Sequence, residues 1–172
     1  MSGVIHERNG IMEYSEGEHV FYPRHGVGEI LGVSTQKCAG SSEECLGVHF
    51  VQQNMTLHIP VYRLGAVGLR KVMTRQKVSK VFEALKGRAR YNTSHSHKER
   101  VKHYQKKFDT GDPLELAAVA RDLARLSKKQ DLTMDEEGLC RNSIDLLSKE
   151  ISITKKKPPT EMRSEIETVV FR

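Results

Sequence analysis

Two groups of side chains in this chain have the types and spacing to do chemistry. The first is a run of cations, Lys86, Arg88, Arg90, Lys98, Arg100, Lys102, Lys106 and Lys107, with Glu99 the single acid among them. That segment carries a net charge of +7, while the other 20 basic and 21 acidic residues leave the rest of the chain at −1. Charge focused in this way creates a local positive potential that attracts a polyanion; spread evenly, it would serve only solubility. The chemistry implied is phosphate neutralisation, and so contact with nucleic acid.

The second group is His95, His97 and His103 with Cys140, which by type could ligate a metal. Their spacing argues against it. Residues i and i+2 do not share a helix face, zinc sites on helices use i and i+4, and no CxxC accompanies the histidines. No metal or other cofactor is expected. Cys38 and Cys45 could meet across a hairpin, but three cysteines in no known framework point to free thiols in a reducing compartment. No glycine-rich phosphate loop, paired-carboxylate motif or nucleophilic triad is present, so an enzyme is not expected.

The elements that must carry these residues change period near Thr74. From His19 to Met73 the pattern is β. Leu46, Val48 and Phe50 alternate, as do Met55, Leu57, Ile59 and Val61, with polar connections at 39–44 and 52–54. Pro60 cannot donate to a ladder and predicts an edge strand. About five short strands without room for crossover helices suggest a small SH3- or Tudor-like barrel.

From residue 74 the period is helical. Val78, Val81, Phe82 and Leu85 form one stripe, closed by Gly87. A second helix is predicted over Ser96–Phe108, with Val101, Tyr104 and Phe108 on one face. Asp112-Pro113-Leu114-Glu115 opens a third, running to about Gln130, and Thr133-Met134-Asp135-Glu136 opens a fourth, with Cys140, Ile144, Leu147 and Ile151 inward. The fold class is therefore α+β, a five-stranded barrel at 19–73 followed by a helical bundle at 74–153. Residues 1–18 read as an extension, and 154–172, which begins near the KKKPP run, as a mobile tail with at most a weak amphipathic turn. No run nears the roughly 18 apolar residues of a membrane span, and the N-terminus has no signal-peptide core. A soluble cytoplasmic protein is expected.

The phrases YPRHGVGEI, IPV, VGLR and RDLARL fall in one order around that change of period. With them the chain resembles the CarD/CdnL bacterial transcription regulators from about His19 to Ile151; similar N-terminal modules occur in the transcription-repair coupling factor. The resemblance implies an N-terminal Tudor-like domain that binds the β subunit of RNA polymerase. It also implies a helical domain on double-stranded promoter DNA at the upstream edge of the bubble, where it modulates open-complex stability. Such a protein would be nucleoid-associated, and a monomer is expected.

Residue by residue, the resemblance places Gln36, His58 and Pro60 at polymerase-contact positions. His97 stands where many relatives carry a tryptophan wedge, Arg100 at the arginine three residues on, and Lys102 at a basic DNA-contact position. Arg88, Arg90 and Lys98 supplement them. The chain has no tryptophan, and an imidazole offers less stacking area than an indole. Arg121 and Asp122, between leucines, read as a structural ion pair. The alternative reading is an adaptor that docks on polymerase or another partner without direct DNA contact.

Overall fold

The computed structural model describes residues 14–23, 25–38, 41–91 and 96–172. The chain divides into two compact units, Met1–Val72 and Met73–Arg172, the first built of strands and the second of helices.

In the first unit, β1 (His19–Tyr22), β2 (Gly26–Cys38), β3 (Ser41–Phe50), β4 (Met55–Pro60) and β5 (Arg70–Lys71) form one antiparallel sheet in the order β4-β3-β2-β1-β5. The predicted inward residues of β3, Leu46, Val48 and Phe50, are buried with Val20, Ile30, Ile59, Leu64 and Leu69, although Cys45 and Gly47 beside them are buried as well. Each such side chain contributes about 1.5–3 kcal/mol on full burial. Pro60 lies on an edge strand, as its missing donor requires.

The expected barrel does not close. β5 is only two residues long and pairs with Val20 and Phe21 of β1, while among the described residues β4 pairs with β3 alone. Two residues cannot bridge to a second neighbour, so the sheet stays open. The predicted connection at 39–44 is also shorter than expected, because Ser41–Glu44 pair with Thr35–Cys38 in the β2–β3 ladder. That register sets Cys38 opposite Ser41 and Cys45 opposite Ser34. The two cysteines thus stand four residues apart along the hairpin. The sheet unit also begins earlier than His19: Tyr14 is fully buried, and its hydroxyl donates to the Leu69 carbonyl at 3.2 Å. Gly28 is a steric necessity, since a Cβ there would lie 2.6 Å from Val48 Cγ1 and 2.9 Å from Phe50 Cε1.

The second unit holds α1 (Arg75–Lys86), α2 (His97–Asp109), α3 (Pro113–Leu126), α4 (Met134–Lys155) and α5 (Pro159–Val170). Helix α3 is central. It packs against the other four helices, and Leu116, Ala117, Val119, Ala120, Leu123, Ala124 and Leu126 are all fully buried. A helix apolar on most of its circumference must be enclosed in this way. Asp112 caps it by accepting from the Leu114 and Glu115 N–H groups, and Pro113 fills the first turn. It ends at Leu126, four residues before the expected stop.

Beyond Thr154, where the sequence suggested a tail, the chain completes α4 and adds α5. Lys156 takes the left-handed conformation (φ 55°) that ends α4. The proline pair then opens α5, with Pro159 in its first turn. Proline at that position starts a helix as readily as it stops one, because its missing N–H has no intrahelical partner there. Met162, Ile166 and Val170 are fully buried, so α5 is a core element. No helix among the described residues is long and apolar enough to cross a membrane.

Candidate nucleic-acid interface

The basic segment folds around α2, whose start is set by a full capping box. The Ser96 hydroxyl accepts from the Glu99 N–H, and the Glu99 carboxylate accepts from the Ser96 N–H at 2.9 Å. From that start the helix sorts its charges onto two faces. Its buried stripe is Arg100, Tyr104 and Phe108. The expected stripe had Val101 in place of Arg100; Val101 is only half-buried.

Arg100 is 4% exposed and is held from two sides. Its Nε donates to Glu136 Oε1 at 2.8 Å, and its Nη2 lies 2.7 Å from His97 Nδ1. Glu136 is the capping residue at the start of α4. Its Oε2 also accepts from the Thr133 N–H at 2.9 Å and from the Thr133 hydroxyl at 3.2 Å. Burial alone would raise this carboxyl. The Thr133 N–H and the Arg100 guanidinium outweigh it and hold the group below its ordinary value.

Lys98, Lys102 and Lys106 lie on the other side of α2, about 200° round from the buried stripe. All three are exposed, and at i, i+4, i+8 they form one stripe about 12 Å long. Among the described residues none of the three meets a carboxylate within ion-pairing distance, whereas Lys107 pairs with Glu115 at 2.5 Å and Lys77 with Asp112 at 3.6 Å. Lys106, absent from the sequence-predicted set, completes the stripe; its spacing from Lys102 was the available signal.

Arg88 and Arg90 are exposed on the segment after α1. That segment is tethered, because the Arg90 N–H donates to Asp122 Oδ1 at 3.0 Å. Asp122 also takes the Arg121 Nε at 2.7 Å, so Arg121–Asp122 is the structural pair the sequence suggested. Arg121 and Arg125 further donate to the Ala84 and Leu85 carbonyls, covering the C-terminal end of α1. His97 is exposed beside the buried pair, with 58% of its side chain accessible. His103 is exposed, Cys140 is buried 20 residues from its Ala120 carbonyl partner, and His95 lies outside the described residues. Burial pushes the Cys140 thiol up to about 11.

In the sheet unit the register relates the other three predicted residues. His58 pairs with Gly47, Pro60 with Cys45, Cys45 with Ser34, and Gln36 with Glu43. Paired and i±2 positions share a face, so Gln36, His58 and Pro60 lie on the face opposite Leu46, Val48 and Phe50. His58 is exposed and Pro60 half-buried on the outer edge strand. Gln36 is half-buried two strands in, and its Nε2 donates to Ser34 Oγ at 3.1 Å.

Comparison with known families follows the same division. Residues 14–73 match the CarD-like/TRCF RID domain, and residues 80–167 match the C-terminal domain of CarD. The chain belongs to the CarD family. A curated relative, the Bacillus subtilis (strain 168) protein named "Putative transcription factor YdeB", is 25% identical over 142 residues, 81% of this chain and 90% of its own length. Membership places this CarD-family chain among bacterial transcription regulators that interact with RNA polymerase, a family of transcription factors and not of enzymes. The N-terminal match begins at residue 14, where Tyr14 enters the core, and the C-terminal match runs into α5.

Proposed function

We propose that this protein binds the RNA polymerase β subunit through the β4 edge and contacts promoter DNA through the exposed face of α2. By bridging the two at the upstream edge of the bubble it modulates the stability of the open complex. The observation that carries the DNA half is the sorting of charge on α2. One cation, Arg100, is buried and paired, while Lys98, Lys102 and Lys106 are exposed and, among the described residues, without an acidic partner. A helix that needed charge only for solubility would more commonly intersperse acids on that face. Three lysines along about 12 Å span roughly three to four base steps of one strand.

This assigns different roles to the predicted DNA residues. Lys98 and Lys102, with Lys106, contact phosphate, and Arg88 and Arg90 add to the same field. Arg100 acts from inside the fold, and His97 stands exposed at the first turn of α2, beside the buried pair. For polymerase, an edge strand offers unpaired backbone groups for pairing across an interface, with His58 and Pro60 on it and Gln36 on the same face.

The decisive measurement is affinity for a forked or bubble duplex as a function of salt. Each lysine that neutralises a phosphate contributes about 0.7–0.9 to the slope of log K against log salt. Lys98→Gln and Lys102→Gln should each flatten the slope by that amount while leaving polymerase binding intact, and His58→Glu should weaken polymerase binding alone. Salt-insensitive or absent DNA binding in the unmodified protein would leave the adaptor reading in its place.

A further inference from the structure

We propose that Leu31 is a further contact for the RNA polymerase β subunit, turned outward by a β-bulge beside His58, where it packs on an apolar side chain of that partner. The inference deepens the polymerase half of the proposed function and rests on that reading. The bulge lies in β2. Ile30 pairs with Val48 and Val33 with Leu46, so both belong to the core side of the sheet. Between those pairs β3 has one residue, Gly47, and β2 has two, Leu31 and Gly32. Gly32 takes up the extra residue in a left-handed conformation (φ 109°), and Leu31 is left 50% exposed.

Gly47 fixes which face Leu31 occupies. It pairs with His58 and alternates with the inward Leu46 and Val48, so its missing side chain belongs to the outer face. A Cβ there would stand 3.5 Å from Leu31 Cβ and 3.9 Å from His58 Cε1, so Leu31 and His58 flank one position. The fold itself does not demand this glycine. Its backbone is not left-handed, and those distances are ordinary contacts, unlike the 2.6 Å approach that requires Gly28. Glycine inside a strand weakens it, and here it also removes the cross-strand side chain that would cover the flank of Leu31. The chain thus keeps a leucine uncovered where folding alone would favour covering it.

Continuity names the occupant. Only β3 separates Leu31 from the β4 edge, and Pro60, Gln36 and His58 share its face. The unit that carries them matches the CarD-like/TRCF RID domain, whose family interacts with RNA polymerase. Pairing along an edge supplies backbone hydrogen bonds, and side chains beside it supply the choice of partner.

Affinity for core RNA polymerase tests the contact. Leu31→Ser removes the half-exposed apolar surface and should weaken binding about 5-fold. Leu31→Met keeps that surface and should stay within about 2-fold of the unmodified protein. Val33, on the same strand and 41% exposed, belongs to the other face, so Val33→Ser should leave affinity unchanged. An unchanged unfolding midpoint checks that Leu31→Ser folds; should it fall, Leu31→Thr, which suits a strand, takes its place. Equal losses from Leu31→Ser and Val33→Ser would overturn the inference. So would full binding by Leu31→Ser while His58→Glu binds weakly, a result that leaves the β4 edge standing as the docking site. Full binding by both Leu31→Ser and His58→Glu would overturn the docking edge and the inference with it.

Discussion

The two units of this molecule are specified by different physics. Among the described residues the sheet unit buries no charged side chain; its core is Tyr14, Val20, Ile30, Leu46, Val48, Phe50 and their apolar neighbours. The helical unit buries Arg100, Arg121, Asp122, Glu136 and Glu150. Each of these meets a partner: Arg100 on Glu136, Arg121 on Asp122, and the Met73 N–H on Glu150 at 2.7 Å. The sheet is therefore held by shape and the helices by shape plus fixed charge pairs. Volume changes should damage the first, and unpaired charge the second.

The largest effect should come from breaking one buried pair. Arg100→Met leaves the fully buried Glu136 carboxylate without its guanidinium and should cost the helical unit about 3–5 kcal/mol in urea unfolding. Arg100→Met/Glu136→Gln removes both charges and should recover most of that loss. If the double variant were as unstable as the single one, packing of the arginine stem, and not the charge, would be what matters there.

The matching break in the sheet unit is Gly28→Ala. The added methyl would sit 2.6 Å from Val48 Cγ1, inside the packed core of the sheet. Overpacking of this kind costs about 1–3 kcal/mol. The unfolding transition of the sheet should move while that of the helices stays in place; a shift of both would deny the independence of the two cores.

Acid should separate the units again, more gently. The Glu136 carboxyl is held below its ordinary value of 4.5, so the stability it contributes is fully present above that pH and is lost as pH falls through the folded-state value. The helical unit should therefore soften first below about pH 4.5, and Arg100→Met/Glu136→Gln should remove that sensitivity. Circular dichroism at the helical band, followed against pH, reads the difference.

What was legible in the sequence divides along the same line. The inward set Leu46, Val48 and Phe50, the edge position of Pro60 and the capping box at Thr133–Glu136 are local patterns, and each is present in the structure. The open sheet was not legible, because whether β4 and β5 meet depends on tertiary geometry that no strand encodes alone. Nor was the Arg100–Glu136 pair, whose members are 36 residues apart and whose glutamate already had a local explanation as a capping group. The same gap misled the reading of residues 154–172: two prolines and three lysines look like a stop, and only the buried Met162, Ile166 and Val170 show that a helix follows. Of the candidate DNA residues, the exposed lysines were visible as charge. The division of labour between them and Arg100 was not: helical phase sets Arg100 with Tyr104 and Phe108 at i, i+4, i+8, but a charge is read as solvated until its buried partner, Glu136, is seen.

The smallest effect sharpens the comparison most. Lys98→Gln, Lys102→Gln and Lys106→Gln change exposed side chains that, among the described residues, have no ion-pair partner, so each should alter stability by no more than about 0.5 kcal/mol. Arg100, on the same helix and with the same charge, should show a stability loss several times larger. If the three lysines proved as costly as Arg100, their charge would belong to the fold and could not be counted as a surface for phosphate. If they are neutral, any loss of DNA binding in these variants reports contact alone, because the helix that presents them is unchanged.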